Sequence, residues 1–132
     1  MMTRFRLPAD DLEYGVLAEL WELGVASVRE LHDRLGARQG LVYTTTAKVV
    51  DRLREKGLIQ RQRKGNAFVY RARVARDEVE RARARNAVTR LLGATPRAAV
   101  AALVEAVDDV DPALLEELER AVLARRRSKL GA

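Results

Sequence analysis

Apolar residues recur at helical spacing near the start of the chain. Leu12, Val16, Leu20 and Leu23, widened by Leu17 and Trp21, form one stripe, the signature of an amphipathic helix. Asp10 ahead of it, with Glu13 three residues on, has the spacing of a capping box, and Gly24 closes the helix. Trp21 lies on the stripe and is expected to anchor a core. Ser27 and Glu30 repeat the capping spacing before Val28, Leu31 and Leu35, predicting a short second helix that ends near Gly36. His32 falls on its polar side and reads as a solvated surface histidine. A third helix is predicted from Leu41 to Lys56, closed by Gly57. Its packed side would carry Val42, Thr46, Val49, Val50 and Leu53, its opposite side Thr44, Thr45, Lys48, Asp51 and Arg52.

The period then changes. Leu58 to Arg63 and Ala67 to Arg71 flank Lys64-Gly65-Asn66, a pattern of two strands joined by a tight turn. Phe68 and Tyr70 share a face of the second strand and are expected to pack this hairpin against the core. Helix, helix, helix, hairpin is the order of a winged helix-turn-helix, in which the hairpin is the wing.

After Arg73 the pattern is helical again. One helix is predicted from Asp77 to Leu92, another from Thr95-Pro96 to Val107, and a third after Asp111-Pro112, with Leu114, Leu115, Leu118, Ala121 and Val122 as its apolar side. The expected fold class is mostly α with a small β-hairpin: a winged helix-turn-helix head over 1–73 and a C-terminal helical dimerisation region over 74–132. These last helices have no strands to cover their apolar faces. They either fold back onto the head or self-associate, and a self-associating arm is the simpler expectation. A homodimer would bury Leu91, Leu92, Val100, Leu103, Leu115, Leu118 and Val122.

Composition narrows the function. With 132 residues, 48% of them apolar and only 5% aromatic, the chain suits one helix-rich head with an attachment. There is no cysteine and one histidine, so neither a metal site nor a cofactor is expected. No apolar run is long enough to span a bilayer, and Met1-Met2-Thr3-Arg4-Phe5-Arg6 lacks the apolar core of a signal peptide. The expectation is a cytoplasmic protein without membrane insertion. The net charge of +6 is unevenly spread: Arg38 to Arg73 holds ten basic residues, Lys56 among them, against Asp51 and Glu55. That segment is net +8 and the remainder net −2. Such concentration suits a polyanionic partner, because each cation that neutralises a phosphate releases condensed counterions.

The third helix offers suitable chemistry at its start. In a helix-turn-helix the first residues of the second helix reach base edges in the major groove. Tyr43, Thr44, Thr45 and Lys48 are the candidate base readers, since threonine can hydrogen-bond and touch a thymine methyl while lysine reaches guanine acceptors or a phosphate. Thr46 lies nearer the packed side. Arg52, Arg61, Arg63, Lys64 and Asn66 are candidates for gripping phosphates from the helix and wing, giving affinity more than sequence information. No nucleophile with its base, and no paired carboxylates in a pocket pattern, suggests an enzyme. The remaining alternative is a winged helix used as a protein-interaction module.

Leu20-Trp21-Glu22, Ser27-Val28-Arg29-Glu30-Leu31, Tyr43-Thr44-Thr45-Thr46, Asp51-Arg52-Leu53, Lys56-Gly57-Leu58 and Lys64-Gly65-Asn66-Ala67-Phe68-Val69-Tyr70 together resemble the successive motifs of the penicillinase-repressor (BlaI/MecI/CopY) family. The resemblance is specific over 9–73 and weaker beyond. It implies a homodimer on a palindromic double-stranded DNA operator, a helical dimerisation region, repression of resistance, cell-wall or metal-handling genes, and a signal-transducing sensor or protease as a further partner. Ala102-Leu103 stands where classical members carry a cleavable Asn-Phe bond, and the C-terminal cysteines of the copper-responsive branch have no counterpart. The inducing signal is therefore not legible.

Overall fold

The computed structural model describes residues 5–131; the opening Met1 to Arg4, part of the segment read above for a signal peptide, lies outside that range. Helix α1 (Asp11–Leu23) begins at Asp10, whose side chain accepts from the Glu13 amide. Glu13 does not return the bond to Asp10; its carboxylate accepts from the Ala9 amide and from Lys56 Nζ instead. Helix α2 (Val28–Leu31) starts from a complete capping box between Ser27 and Glu30. It continues through a π-helical turn over His32–Gly36 and a 3-10 turn over Ala37–Gln39. Gly40, at φ +76, reverses the chain in a conformation that costs glycine nothing. Helix α3 (Tyr43–Glu55) follows.

Strands β1 (Ile59–Lys64) and β2 (Ala67–Ala72) pair antiparallel, with Arg61 opposite Tyr70 and Arg63 opposite Phe68. Gly65 has φ +63, and no described residue other than glycine has positive φ. The Gly65-Asn66 loop thus has the positive first position of a type II′ turn, whose twist matches that of the strands. At the hairpin's base, Ala26 and Tyr70 exchange both backbone hydrogen bonds, at 3.0 and 2.7 Å. The loop after α1 is thereby fixed to the second strand.

The core joins Val16, Leu17 and Leu20 of α1, Leu31 of α2, Val49, Val50 and Leu53 of α3, and Leu58, Ile59 and Tyr70 of the hairpin. Val42 departs from its expected place on the packed side: it is the N-cap of α3 and 65% exposed. Because the helix begins one residue later, Val42 precedes the helical phase that would carry it inward. Trp21 is partly buried beside the core and donates from Nε1 to the Val74 carbonyl at 3.0 Å.

Helix α4 (Arg76–Ala94) is followed by α5 (Pro96–Val110) and α6 (Pro112–Gly131). The chain divides into two compact units, one ending at Ala84 and the other starting at Arg85. The first runs past the change of composition after Arg73, because Val74 and Val79 are buried in its core. In the second, α5 and α6 pack on each other, with Asp111 between them accepting from the Ala113 amide. Neither helix holds a buried residue, and Val100, Leu103, Val104, Val122 and Leu123 are exposed. Leu91 is 63% exposed, Leu92 is exposed, and Leu115 and Leu118 are half-buried. No described helix is long and apolar enough to cross a membrane.

Candidate nucleic-acid interface

The core fixes the face of α3 that stays outside. With Thr46, Val49, Val50 and Leu53 turned inward, Tyr43, Thr44, Lys48 and Arg52 are exposed and Thr45 is half-buried at the rim. Residues 44, 48 and 52 stand four apart and lie along one row of the helix surface. Val42 offers no side-chain cap, so the first-turn N–H groups of α3 are not taken up by one.

The hairpin supplies a second polar surface in the same unit. Arg61, Arg63, Lys64 and Asn66 are all exposed. The pairing puts Arg61, Arg63, Phe68 and Tyr70 on one face, and that face divides along its length. Tyr70, at the base, is buried; Phe68, towards the tip, is 39% exposed. Phe68 therefore does not pack the wing onto the core, contrary to the expectation from its sharing a face with Tyr70. It lies beneath two arginines, with the guanidinium carbons of Arg61 and Arg63 at 4.1 and 5.7 Å from its ring centroid. Both cations are held against a ring, at a distance where the attraction counts, and Arg63 Nε also reaches the Gly65 carbonyl at 3.4 Å.

Lys56 is withdrawn from the basic segment. Its Nζ lies 2.5 Å from the carboxylate of Glu13, a residue only 3% exposed. A buried carboxylate needs such a partner, so this lysine ties α1 to the end of α3. The Arg6 amide donates to the Lys56 carbonyl at 2.9 Å, adding the N-terminal segment to the same junction.

His32 also differs from its expected solvated setting. The π-helical turn carries it against α3, where its Nδ1 lies 2.8 Å from Thr46 Oγ1. Its ring stands edge-on to Tyr43 with centroids 5.7 Å apart, and the Arg29 guanidinium lies 4.4 Å over the same tyrosine ring. Arg29, His32 and Phe68 were not among the residues the sequence singled out for this surface. A signal was present for all three. Arg29 and His32 are three apart on the helix preceding α3, and a two-residue hairpin loop forces Phe68 opposite Arg63.

Elsewhere in the unit, Tyr14 donates to Glu80 at 2.8 Å, and Arg76 Nε reaches the same carboxylate oxygen at 2.8 Å. Burial first, and the bond to Glu80 second, push the Tyr14 hydroxyl above its ordinary range. The bond from Arg76 first, and from Tyr14 second, holds Glu80 below its own. These groups join α1 to the start of α4. No cluster of three or more candidate metal ligands occurs among the described residues.

The family model described as "Penicillinase repressor" matches residues 10–124. The transcriptional regulator BlaI of Mycobacterium tuberculosis, in two strains, is 39% identical over 70 residues, covering 52% of this chain and 51% of that protein. The chain thus spans about half the length of the curated relatives it matches. The solution structure of the DNA binding domain of the repressor BlaI aligns at 21% identity and a TM-score of 0.49, covering 58% of this chain and 90% of that one. The oxidized form of MarR from E. coli aligns at 17% identity and a TM-score of 0.44, covering 84% and 73%.

Proposed function

The chain belongs to the penicillinase-repressor family of transcriptional regulators, and from that premise we propose that it represses transcription as a homodimer on a palindromic duplex operator. The observation that carries this reading is the exposed face of α3, with hydroxyls at Thr44 and Thr45 and cations at Lys48 and Arg52, in one unit with a wing that holds Arg61 and Arg63 over Phe68. Tyr43, Thr44, Thr45 and Lys48 read base edges in the major groove. Arg52, Arg61, Arg63, Lys64 and Asn66 grip the backbone, which supplies affinity and salt dependence but little sequence information.

The second unit supplies the dimer. Helices α5 and α6 pair but leave no residue fully buried within one chain, and Leu91, Leu92, Val100, Leu103 and Val122, with the half-buried Leu115 and Leu118, give a second copy an apolar surface to cover. By family analogy the controlled genes serve resistance, cell-wall or metal handling and a signal-transducing sensor or protease is a further partner, while Ala102-Leu103 in place of the Asn-Phe bond leaves the step that relieves repression outside the analogy. The place of action is the cytoplasm, where promoters are. The role is binding rather than catalysis.

Selection from a random duplex pool tests this reading. A two-fold dimer with one reading helix per subunit requires half-sites about one helical turn, or a multiple of it, apart. The expected product is an inverted repeat whose tight binding is abolished by inserting about half a turn between its halves. Recovery of a single half-site indifferent to the insertion overturns the dimer, and recovery of no shared motif overturns the repressor in favour of a protein-interaction module.

A further inference from the structure

Two pairs of side chains, each three residues apart on its own helix, interlock between α2 with its π-helical turn and α3. Arg29 and His32 form one pair, Tyr43 and Thr46 the other. His32 Nδ1 meets the Thr46 hydroxyl at 2.8 Å, and Thr46 is 1% exposed. The His32 ring, in a T-shaped contact, and the Arg29 guanidinium both lie against the Tyr43 ring. Gly36 makes the fit possible: a Cβ there would come within 2.2 Å of Thr46 Oγ1 and 2.6 Å of His32 Nδ1. The contact therefore depends on a missing side chain as much as on the two that meet.

We infer that His32 and Arg29 are positioning residues that hold the first turn of α3 in the orientation the core gives the helix, and with it the aim of Thr44, Thr45 and Lys48 at base edges. The inference rests on the proposal that α3 reads DNA. A hydroxyl in a helix interior cannot by itself hold that turn in place, but one tied to a side chain of the neighbouring helix can. Tyr43 and Thr46 are each tied in this way, so α3 is held at two points of one side over its first turn. Base-edge hydrogen bonds weaken steeply with misalignment, whereas long cationic side chains can follow a phosphate through a small rotation. Loosening the interlock should therefore lower discrimination between sequences more than overall grip.

The full chain can be measured against two probes: the duplex enriched from a random pool by the unsubstituted protein, and a scrambled duplex of the same length. His32→Ala is expected to weaken binding to the enriched duplex about tenfold, the scale of one lost base contact. Binding to the scrambled duplex should change far less. His32→Asn can place a polar atom where Nδ1 stands and should recover most of the loss. His32→Gln, whose amide reaches the place of Nε2, should not. Unchanged discrimination in His32→Ala overturns the inference, and so does an equal loss on both duplexes without recovery by Asn. If His32→Ala does not fold, Arg29→Met decides: discrimination should fall with the salt dependence unchanged. Unchanged discrimination, or a shallower salt dependence that marks Arg29 as a phosphate contact, overturns it. Failure of the underlying reading is distinguishable, because the unsubstituted chain would then enrich no duplex at all.

Discussion

Arg61 lies with its guanidinium carbon 4.1 Å above the centroid of the Phe68 ring, on a part of the wing that solvent reaches. The ring restricts where a long cationic side chain can go before any phosphate arrives, which lowers the entropy lost on binding. Phe68→Leu keeps an apolar side chain but removes the π face. It should weaken binding to every duplex by about 0.5–1 kcal/mol while leaving the slope of affinity against salt unchanged, because no charge is lost. Arg63→Ala should instead lower that slope by about one contact, and Thr45→Ala should cost about 1–3 kcal/mol on the preferred duplex alone. Affinity titrations at several salt concentrations on preferred and random duplexes check all three.

The Glu13 and Lys56 pair gives a stability prediction that the basic character of its segment would not suggest. Lys56→Ala leaves a carboxylate that is 3% exposed without its cation, and should cost about 3–5 kcal/mol by urea unfolding. Replacing both residues by apolar ones of similar volume, Glu13→Leu with Lys56→Met, should recover most of that loss. Neither change should alter the salt dependence of DNA binding beyond what reduced folding explains, since this charge is already neutralised inside the head.

Truncation can separate the two units, provided the cut respects the core. A chain ending after Ala84 keeps Val74 and Val79, both buried, and should fold as a monomer by sedimentation. A chain ending after Arg73 loses both, together with the Val74 carbonyl that accepts from Trp21, and should be much less stable. Within the full chain, Val79→Ala should cost about 2 kcal/mol, as expected for emptying part of a packed core. A dimeric 84-residue head would contradict the assignment of the apolar helices to self-association.

Tyr14 and Glu80 give opposite pH dependences at opposite ends of the scale. The Tyr14 hydroxyl is raised above its usual value by burial and by its bond to Glu80. Its contribution is complete below the unfolded value of about 10 and is lost as pH climbs through the folded one. Glu80 is lowered by Arg76 and Tyr14. Its contribution is present above the unfolded value of about 4.3 and is lost as pH falls through the folded one. Tyr14→Phe should flatten the alkaline fall in melting temperature, and Glu80→Gln the acid fall. Thermal melts followed by circular dichroism from pH 3 to 11 distinguish the two arms.

The elements were legible because their signals are local. Ser27 and Glu30 are near enough in sequence to announce α2, and Gly65-Asn66 announces the hairpin turn. The inward row Thr46, Val49, Val50 and Leu53 also follows from helical periodicity alone. What sequence reasoning misplaced depends on where two elements cross. His32 looks polar and peripheral until the π-helical turn brings it to Thr46, and Phe68 looks like a core residue until the hairpin's length carries it past the point where Tyr70 meets the core. Lys56 reads as one more surface cation because its partner Glu13 is on another helix. The concentration of positive charge was readable as a segment of sequence, while the partner of each charge within it, Glu13 for Lys56 or the Phe68 ring for Arg61, emerged only from the packing.

Helices α5 and α6 bury no described residue within one chain, and on the proposed reading this makes the cellular amount of the protein a control variable in its own right. When most chains are unpaired, halving their number lowers the population of pairs about fourfold by mass action. Promoter occupancy would then respond to synthesis and dilution more steeply than a single-chain binder could, without any small-molecule effector. Growth itself, by diluting the chains between divisions, would become part of the input that the operator reads.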